Sequence, residues 1–415
     1  MMTEIQKSAD IDASNKILIK PCKNLVSIGY IAQHKEKFIK YKICKYIDSG
    51  AFSSCYMAIR SPDSESESDS DNTHTEKETN EDTGLIEINK NMIRLNITNK
   101  EIEIDSDSDL NTPPSKRATT QRMSKNNNFH NISEQPLHHQ HQQLENNETF
   151  VAIKIVPLKT ILTNKIVKQN VVSEIKILTA VCAKKKCDNV IEILDHFQFE
   201  GNMFTVLEYC AGKSLKTFLE TKQINPNKCG ETRCLIYMHQ LLTAIKHLHE
   251  NNIVHRDVKL GNILLTDCNA TIKLADFGFA VYLHRPKEQR LQSIWGTPYF
   301  IAPEIVASTS TSTSSTNKGY SFPVDIWSAG ICMFYMLFGY FPFSGKTKEC
   351  VYEKLENNIL QIPDVRKLSN NTIDLLSKIL IKNPESRLTA AQALNHTCFK
   401  NIDNKIFVPV VSKST

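Results

Sequence analysis

Four short stretches concentrate residues able to do chemistry: VAIK at 151–154, HRDVKLGN at 255–262, DFG at 276–278 and APE at 302–304. Asn262 and Asp276 are hard oxygen donors of the kind magnesium takes, an ion that usually keeps water and further oxygens in its shell. Lys154 and Lys259 are compact positive charges suited to phosphate oxygens. Asp257 is a carboxylate able to orient or accept a proton. Taken singly, each Asp or Asn reads equally well as a loop turn or a helix cap, where these residues are common. Their joint order and spacing argue for a site.

That order resembles the eukaryotic protein kinases. The resemblance implies an α+β, bilobed fold: a small antiparallel-sheet lobe with one main helix, and a larger, mainly helical lobe. It also implies ATP and Mg2+, because phosphoryl transfer mostly requires positioning and charge neutralisation. In that scheme Lys154, on a strand, grips the nucleotide phosphates. Glu174, in VVSEIKIL at 171–178, is the counter-charge that holds it, and its neighbours Val171, Ile175 and Leu178 argue that it faces the cleft. Asp257 resembles the base that orients the substrate hydroxyl, Lys259 meets the transferring phosphate, and Asn262 and Asp276 hold the metal. Lys259 also marks the serine/threonine form of this loop, and Thr297, in GTPYFIAPE, shapes the acceptor pocket beside Asp257. Adenine is expected on the backbone of Glu208 and Cys210, with Leu207 at the rear and Ile47 and Ala152 lining the pocket. Glu304, Arg387 and Asp325 are expected to brace the large lobe.

The loop IDSGAFSSC, 47–55, departs from the family's glycine-rich pattern. The matching positions are Asp48, Gly50, Ser53 and Cys55, so only the middle glycine remains. Ser53 still offers backbone amides. Asp48 places a negative charge near phosphates, and a non-glycine residue there costs about 1 kcal/mol if the turn needs positive φ. This loop, with the large insertion, supports an alternative reading: a catalytically impaired kinase fold that acts as a scaffold. Retention of Lys154, Glu174, Asp257, Asn262 and Asp276 favours the enzyme.

The elements that must position these residues emerge from periodicity. FIKYKICKYI (38–47), CYMAI (55–59), TFVAIKIV (149–156) and MFTVLEY (203–209) read as strands. Leu235, Met238, Leu241, Leu242, Ile245 and Leu248 fall on one face of a long helix. DIWSAGICMFYMLFG, TIDLLSKIL and TAAQALN read as later helices. The chain divides into an extension (1–37), a kinase domain (38–400) and a tail (401–415). Residues 38–60 and 149–209 form the small lobe, 210–400 the large one, with low-complexity insertions at 61–148 and 307–317. Lengthening a loop from about 8 to about 90 residues costs only about 2 kcal/mol of closure entropy, so the fold tolerates the first insertion.

Charge is uneven along the chain. The net +5 conceals 15 acidic and 4 basic residues between Ser61 and Leu110, leaving +16 for the remainder. A basic body is compatible with acidic or pre-phosphorylated protein substrates; no motif supports specific nucleic-acid binding. The longest apolar run, Ala329 to Phe341, is shorter than the roughly 20 residues a bilayer needs, so no membrane span is expected. No apolar leader follows Met1, and the 12 cysteines lack a pairing pattern, which points to free thiols in the cytoplasm and/or nucleus. The C-x4-C spacings of Cys182/Cys187 and Cys229/Cys234 read as core or surface thiols rather than zinc ligands.

Ser293 lies where related kinases carry an activating phosphate, and Arg256 is the cation a phosphate would engage. Arg290, three residues earlier, suits an upstream kinase that reads basic residues. CAGKSL after the hinge, HRDVKLGN and Cys55 resemble the polo-like kinases, which suggests regulatory or cell-cycle signalling. NIDNKIFVPVVSKST, after Lys400, is too short for the phosphopeptide-binding domains of those enzymes, so none is expected. Nothing in the sequence sets an oligomeric state.

Overall fold

The computed structural model describes residues 29–34, 37–50, 52–62, 149–221, 229–266, 270–286, 288–293, 296–308, 319–362 and 368–400. Expectations for 1–28, for most of the first insertion (with its alternating stretch at 85–97 and basic stretch at 115–122), for most of the Ser/Thr tract and for the tail lie outside these residues.

Six strands, β1 (Gly29–His34), β2 (Lys37–Ser49), β3 (Ser54–Pro62), β4 (Thr149–Pro157), β5 (Ile193–Phe199) and β6 (Asn202–Glu208), form one sheet. Its order is β1-β2-β3-β4-β6-β5, every neighbouring pair antiparallel. The sheet starts earlier than the sequence suggests, because Gly29–His34 pairs with β2 inside the stretch read as an extension. Arg60 pairs with Thr149, so the chain leaves and re-enters the sheet at one point across the first insertion. Alternation fixes the faces of β4. Val151, Ile153 and Ile155 are buried with Tyr41, Phe197 and Phe204, leaving Ala152 and Lys154 on the opposite face.

Two helices follow β4: a short α1 (Leu158–Thr163) and the 20-residue α2 (Lys165–Lys184). Asn164 caps α2, its side-chain oxygen accepting from the amides of Ile166 and Val167. Val167, Val171 and Ile175 pack with Val156 and Met203 under the sheet. That packing presents Glu174 inward, 20 residues along the chain from the lysine it meets.

The large lobe has its own core. α3 (Leu215–Thr221), α4 (Glu231–Glu250), β7 (Ile253–Val254), β8 (Ile263–Leu265), β9 (Ile272–Leu274) and β10 (Val281–Tyr282) precede the segment that ends at α5 (Pro303–Ala307). α6 (Pro323–Phe338), α7 (Lys348–Asn357), α8 (Asn370–Ile379) and α9 (Ala390–Leu394) complete it. All six apolar residues assigned to the α4 face are buried, as is nearly all of α6. Gly330 lets α6 approach α8 closely; a Cβ there would stand 2.5 Å from Ile379 Cγ2. No helix among the described residues is long and apolar enough to cross a membrane.

Candidate active site

Asp325, in the first turn of α6, anchors the loop after β7. Its carboxylate accepts from the amides of His255 and Arg256, each at 2.9 Å, and meets His249 Nε2 at 3.0 Å. Burial alone would push this carboxyl up, but the His249 hydrogen bond and the charges of His249 and His255 hold it below the usual range. Held from beneath, Arg256 takes φ +66, a left-handed turn that costs a non-glycine residue energy. The turn delivers Asp257, 3% exposed, to the cleft floor.

Three donors fix the Asp257 carboxylate. Lys259 Nζ and Asn262 Nδ2 donate to Oδ2 at 2.5 and 3.0 Å, and Thr297 Oγ1 donates to Oδ1 at 3.1 Å. Asn262 Nδ2 also donates to the Asp257 carbonyl, which leaves the amide oxygen of Asn262 as its coordinating group. Asp276 follows β9 with φ +63. Phe277 beside it is fully buried, its ring edge-on to His255 at 4.8 Å, so the two catalytic-loop segments are locked together.

The opposite wall comes from the small lobe. Lys154 Nζ lies 2.6 Å from Glu174 Oε2 and 3.5 Å from Asp276 Oδ1. Burial alone would favour a neutral amine, but Glu174 and then Asp276 hold the Lys154 ammonium above its ordinary value. Burial would likewise push the Asp276 carboxyl up, while Lys154, then Lys259 and His255, hold it below the usual carboxylate range. The carboxylate remains 43% exposed, open to a ligand. With the Asn262 amide oxygen it offers two hard oxygens beside Lys154 and Lys259, a donor set that would suit Mg2+.

The β2–β3 hairpin lies beside this wall, Cys55 pairing with Lys154 across the sheet. Asp48 pairs with Cys55 across a β-bulge, and its carboxylate accepts from the Ser49 amide at 2.8 Å. It is not among the left-handed residues, so the loop needs no glycine at this position. Gly50 donates to the Ser53 carbonyl at 2.9 Å, and a Cβ on Gly50 would come within 3.0 Å of Ser53 Oγ. Ile47 is exposed at the hairpin's edge, whereas Ala152 is half-buried on β4.

At the rear, Glu208 ends β6, following the half-buried Leu207. Its amide donates to the Glu192 carbonyl, so its own carbonyl and the backbone of Cys210 are what adenine could meet. The Glu208 carboxylate accepts from the Glu192 amide and from Lys273 Nζ, both at 2.8 Å. Lys273 lies on β9, almost fully buried. Asn189 strengthens the same junction: its side chain donates to the Ile272 carbonyl at 3.0 Å, and its carbonyl accepts from the Leu274 amide at 2.8 Å. The sequence reading missed Lys273; its signal was a lysine between two aliphatic residues of a buried strand.

Burial pushes the Cys55 thiol up to about 11 and the Cys210 thiol up to about 12, so neither is an activated nucleophile. Cys182, Cys187, Cys229 and Cys234 are free thiols, and no cluster of three or more His, Cys, Asp or Glu able to hold a metal occurs among the described residues. Ser293 is exposed. Arg256, its expected partner, donates through Nε to the Phe279 carbonyl at 2.6 Å.

Comparison with known proteins gives a consistent picture. The family model for the protein kinase domain matches residues 141–399. The serine/threonine-protein kinase ULK3 of Xenopus laevis is 34% identical over 272 residues, 65% of this chain and 53% of that protein. The serine/threonine-protein kinase polo of Drosophila melanogaster is 34% identical over 221 residues, 53% of this chain and 35% of that protein. The chain therefore spans about half or less of the length of these relatives, and equal identity to both leaves the polo-like resemblance without preference.

Proposed function

The chain belongs to the protein kinase family, and on that premise we propose that it transfers the γ-phosphate of ATP to serine or threonine hydroxyls of protein substrates. One observation carries the reading: the Lys154–Glu174 ion pair at 2.6 Å faces Asp276 across the cleft, above Asp257 held by three donors. Lys154, fixed by Glu174, neutralises nucleotide phosphates. Asn262 and Asp276 would hold Mg2+, which when bound would screen the charge on the phosphate oxygens. Asp257 aligns the acceptor hydroxyl and takes its proton, ADP departs as the leaving group, and Lys259, now donating to Asp257, is the second cation for the transferring phosphoryl group. The Thr297 hydroxyl on Asp257 and the lysine at 259 favour Ser/Thr acceptors.

Incubation with ATP, Mg2+ and a generic acceptor protein should give phosphoserine or phosphothreonine. Chelation of the metal should abolish transfer, and restored Mg2+ should recover it. Absence of both transfer and ATP binding would instead support the scaffold reading.

Regulation centres on Ser293. Its exposure, and the placement of Arg256 beside Asp257, support activation by an upstream kinase through a charge-assisted phosphate–arginine contact. Ser293→Ala is expected to lower kcat at least about tenfold, the equivalent of one such contact at 1.4 kcal/mol. Equal turnover of mutant and parent would refute this. The basic remainder of the chain favours acidic or pre-phosphorylated targets. The polo-like wording of CAGKSL and HRDVKLGN supports a role in cell-cycle or other regulatory signalling, which we place in the cytoplasm and/or nucleus.

A further inference from the structure

The segment bearing Ser293 is held by a residue on the far side of the Ser/Thr tract. Tyr320, 2% exposed, donates through its hydroxyl to the Ser293 carbonyl at 2.6 Å. Its backbone pairs with Leu291 in both directions, amide to carbonyl, at 2.9 Å each. Gly319 makes this approach feasible: φ is +64, and a Cβ there would stand 2.6 Å from the Leu291 carbonyl oxygen. The Arg256 side chain lies beside the Tyr320 hydroxyl. One phenol therefore holds the backbone of the expected phosphate acceptor and stands beside the arginine expected to receive the phosphate.

We propose that Tyr320 is a positioning residue that clamps residues 291–293 against the catalytic loop, so that the segment is largely ordered before any phosphate arrives. The proposal rests on the reading of Ser293 as the phosphorylated residue and extends it. Phosphate then reinforces an existing arrangement rather than creating one, and the unphosphorylated enzyme keeps substantial basal activity. Loss of the phenol hydroxyl makes turnover depend more steeply on the phosphate.

The test uses the full chain, once stripped by a phosphatase and once with phosphoserine incorporated at 293 during translation. Tyr320→Phe keeps the buried ring and removes only the hydroxyl. Without phosphate, its kcat is expected to fall about tenfold below the unphosphorylated parent, one hydrogen bond's worth. KM for ATP should move by no more than about twofold, since the Lys154 pair and the hinge are untouched. With phosphate, its kcat should recover to within about threefold of the phosphorylated parent.

An unchanged kcat in the unphosphorylated variant overturns the proposal. An equal loss in both states also overturns it, since that marks general structural support. Trypsin provides a second readout that does not require activity. Cleavage after the exposed Arg290 should accelerate relative to cleavage elsewhere in Tyr320→Phe, and an unchanged ratio counts against the clamp. If phosphate and Ser293→Ala both leave kcat unaltered while Tyr320→Phe lowers it, the clamp stands and the Ser293 reading falls.

Discussion

Asp257→Asn is expected to lower kcat by about 10²–10⁴-fold, the range for losing a positioned proton acceptor. The side chain keeps its size, but an amide presents one acceptor oxygen where the carboxylate had two. Oδ2 now takes Lys259 Nζ and Asn262 Nδ2, and Oδ1 takes Thr297 Oγ1. Turned one way the new NH2 faces the Lys259 and Asn262 donors; turned the other it can donate only by making the Thr297 hydroxyl an acceptor, and in neither orientation does the group accept a proton near neutral pH. KM for ATP should change little, because Asp257 is removed from the hinge and from the Lys154–Glu174 pair. Steady-state transfer of labelled phosphate, with thermal melting to show an intact fold, is the measurement. A variant retaining near-parental kcat would place the acceptor of the hydroxyl proton elsewhere.

Arg387→Ala should be the most destabilising single change, by about 3–5 kcal/mol, the range for removing one partner of a buried pair. The two Nη atoms donate to Glu304 at 2.7 and 3.0 Å and to the carbonyls of Pro323 and Lys382 at 2.8 and 3.1 Å, while Nε donates to the Ile381 carbonyl at 2.9 Å. All five N–H groups are thus used, and the guanidinium also lies 5.1 Å from the Trp327 ring centroid. Truncation strands the Glu304 carboxylate and three carbonyls in a site that excludes water. Arg387→Lys should recover little, since one ammonium cannot reproduce the planar fork. Urea unfolding measures both variants; a loss below about 1 kcal/mol for the alanine would mean that the pair is merely tolerated.

Chemistry was more legible in the sequence than support. Lys154, Glu174, Asp257, Asn262 and Asp276 stand in short stretches whose residue types are restricted by what they must touch, and the structure brings all five to one cleft. The helix face from Leu235 to Leu248 was legible because burial on one side imposes a period. β1 was not, since the two residues between it and β2 in the sequence, Lys35 and Glu36, are not the Asn-Gly or Asp-Gly that signals a tight hairpin. α1 is only six residues long and has no side-chain cap at its N-terminus, so it left no periodic trace. Tyr320 and Lys273 escaped for another reason. Their partners, Ser293 and Glu208, are 27 and 65 positions away in the chain, and nothing local in either residue announces the pairing. Asp48 shows the converse: a residue conspicuous by type finds its hydrogen bond one position away.

The junction of Asn189, Glu208 and Lys273 has a mechanical corollary. It sews the rear of the small lobe to β9 with backbone and side-chain bonds that have little room to stretch. Were the two lobes to part, this junction would act as the pivot, and displacement grows with distance from a pivot. Opening about it would therefore move the Gly50 hairpin farther than residues 207–210.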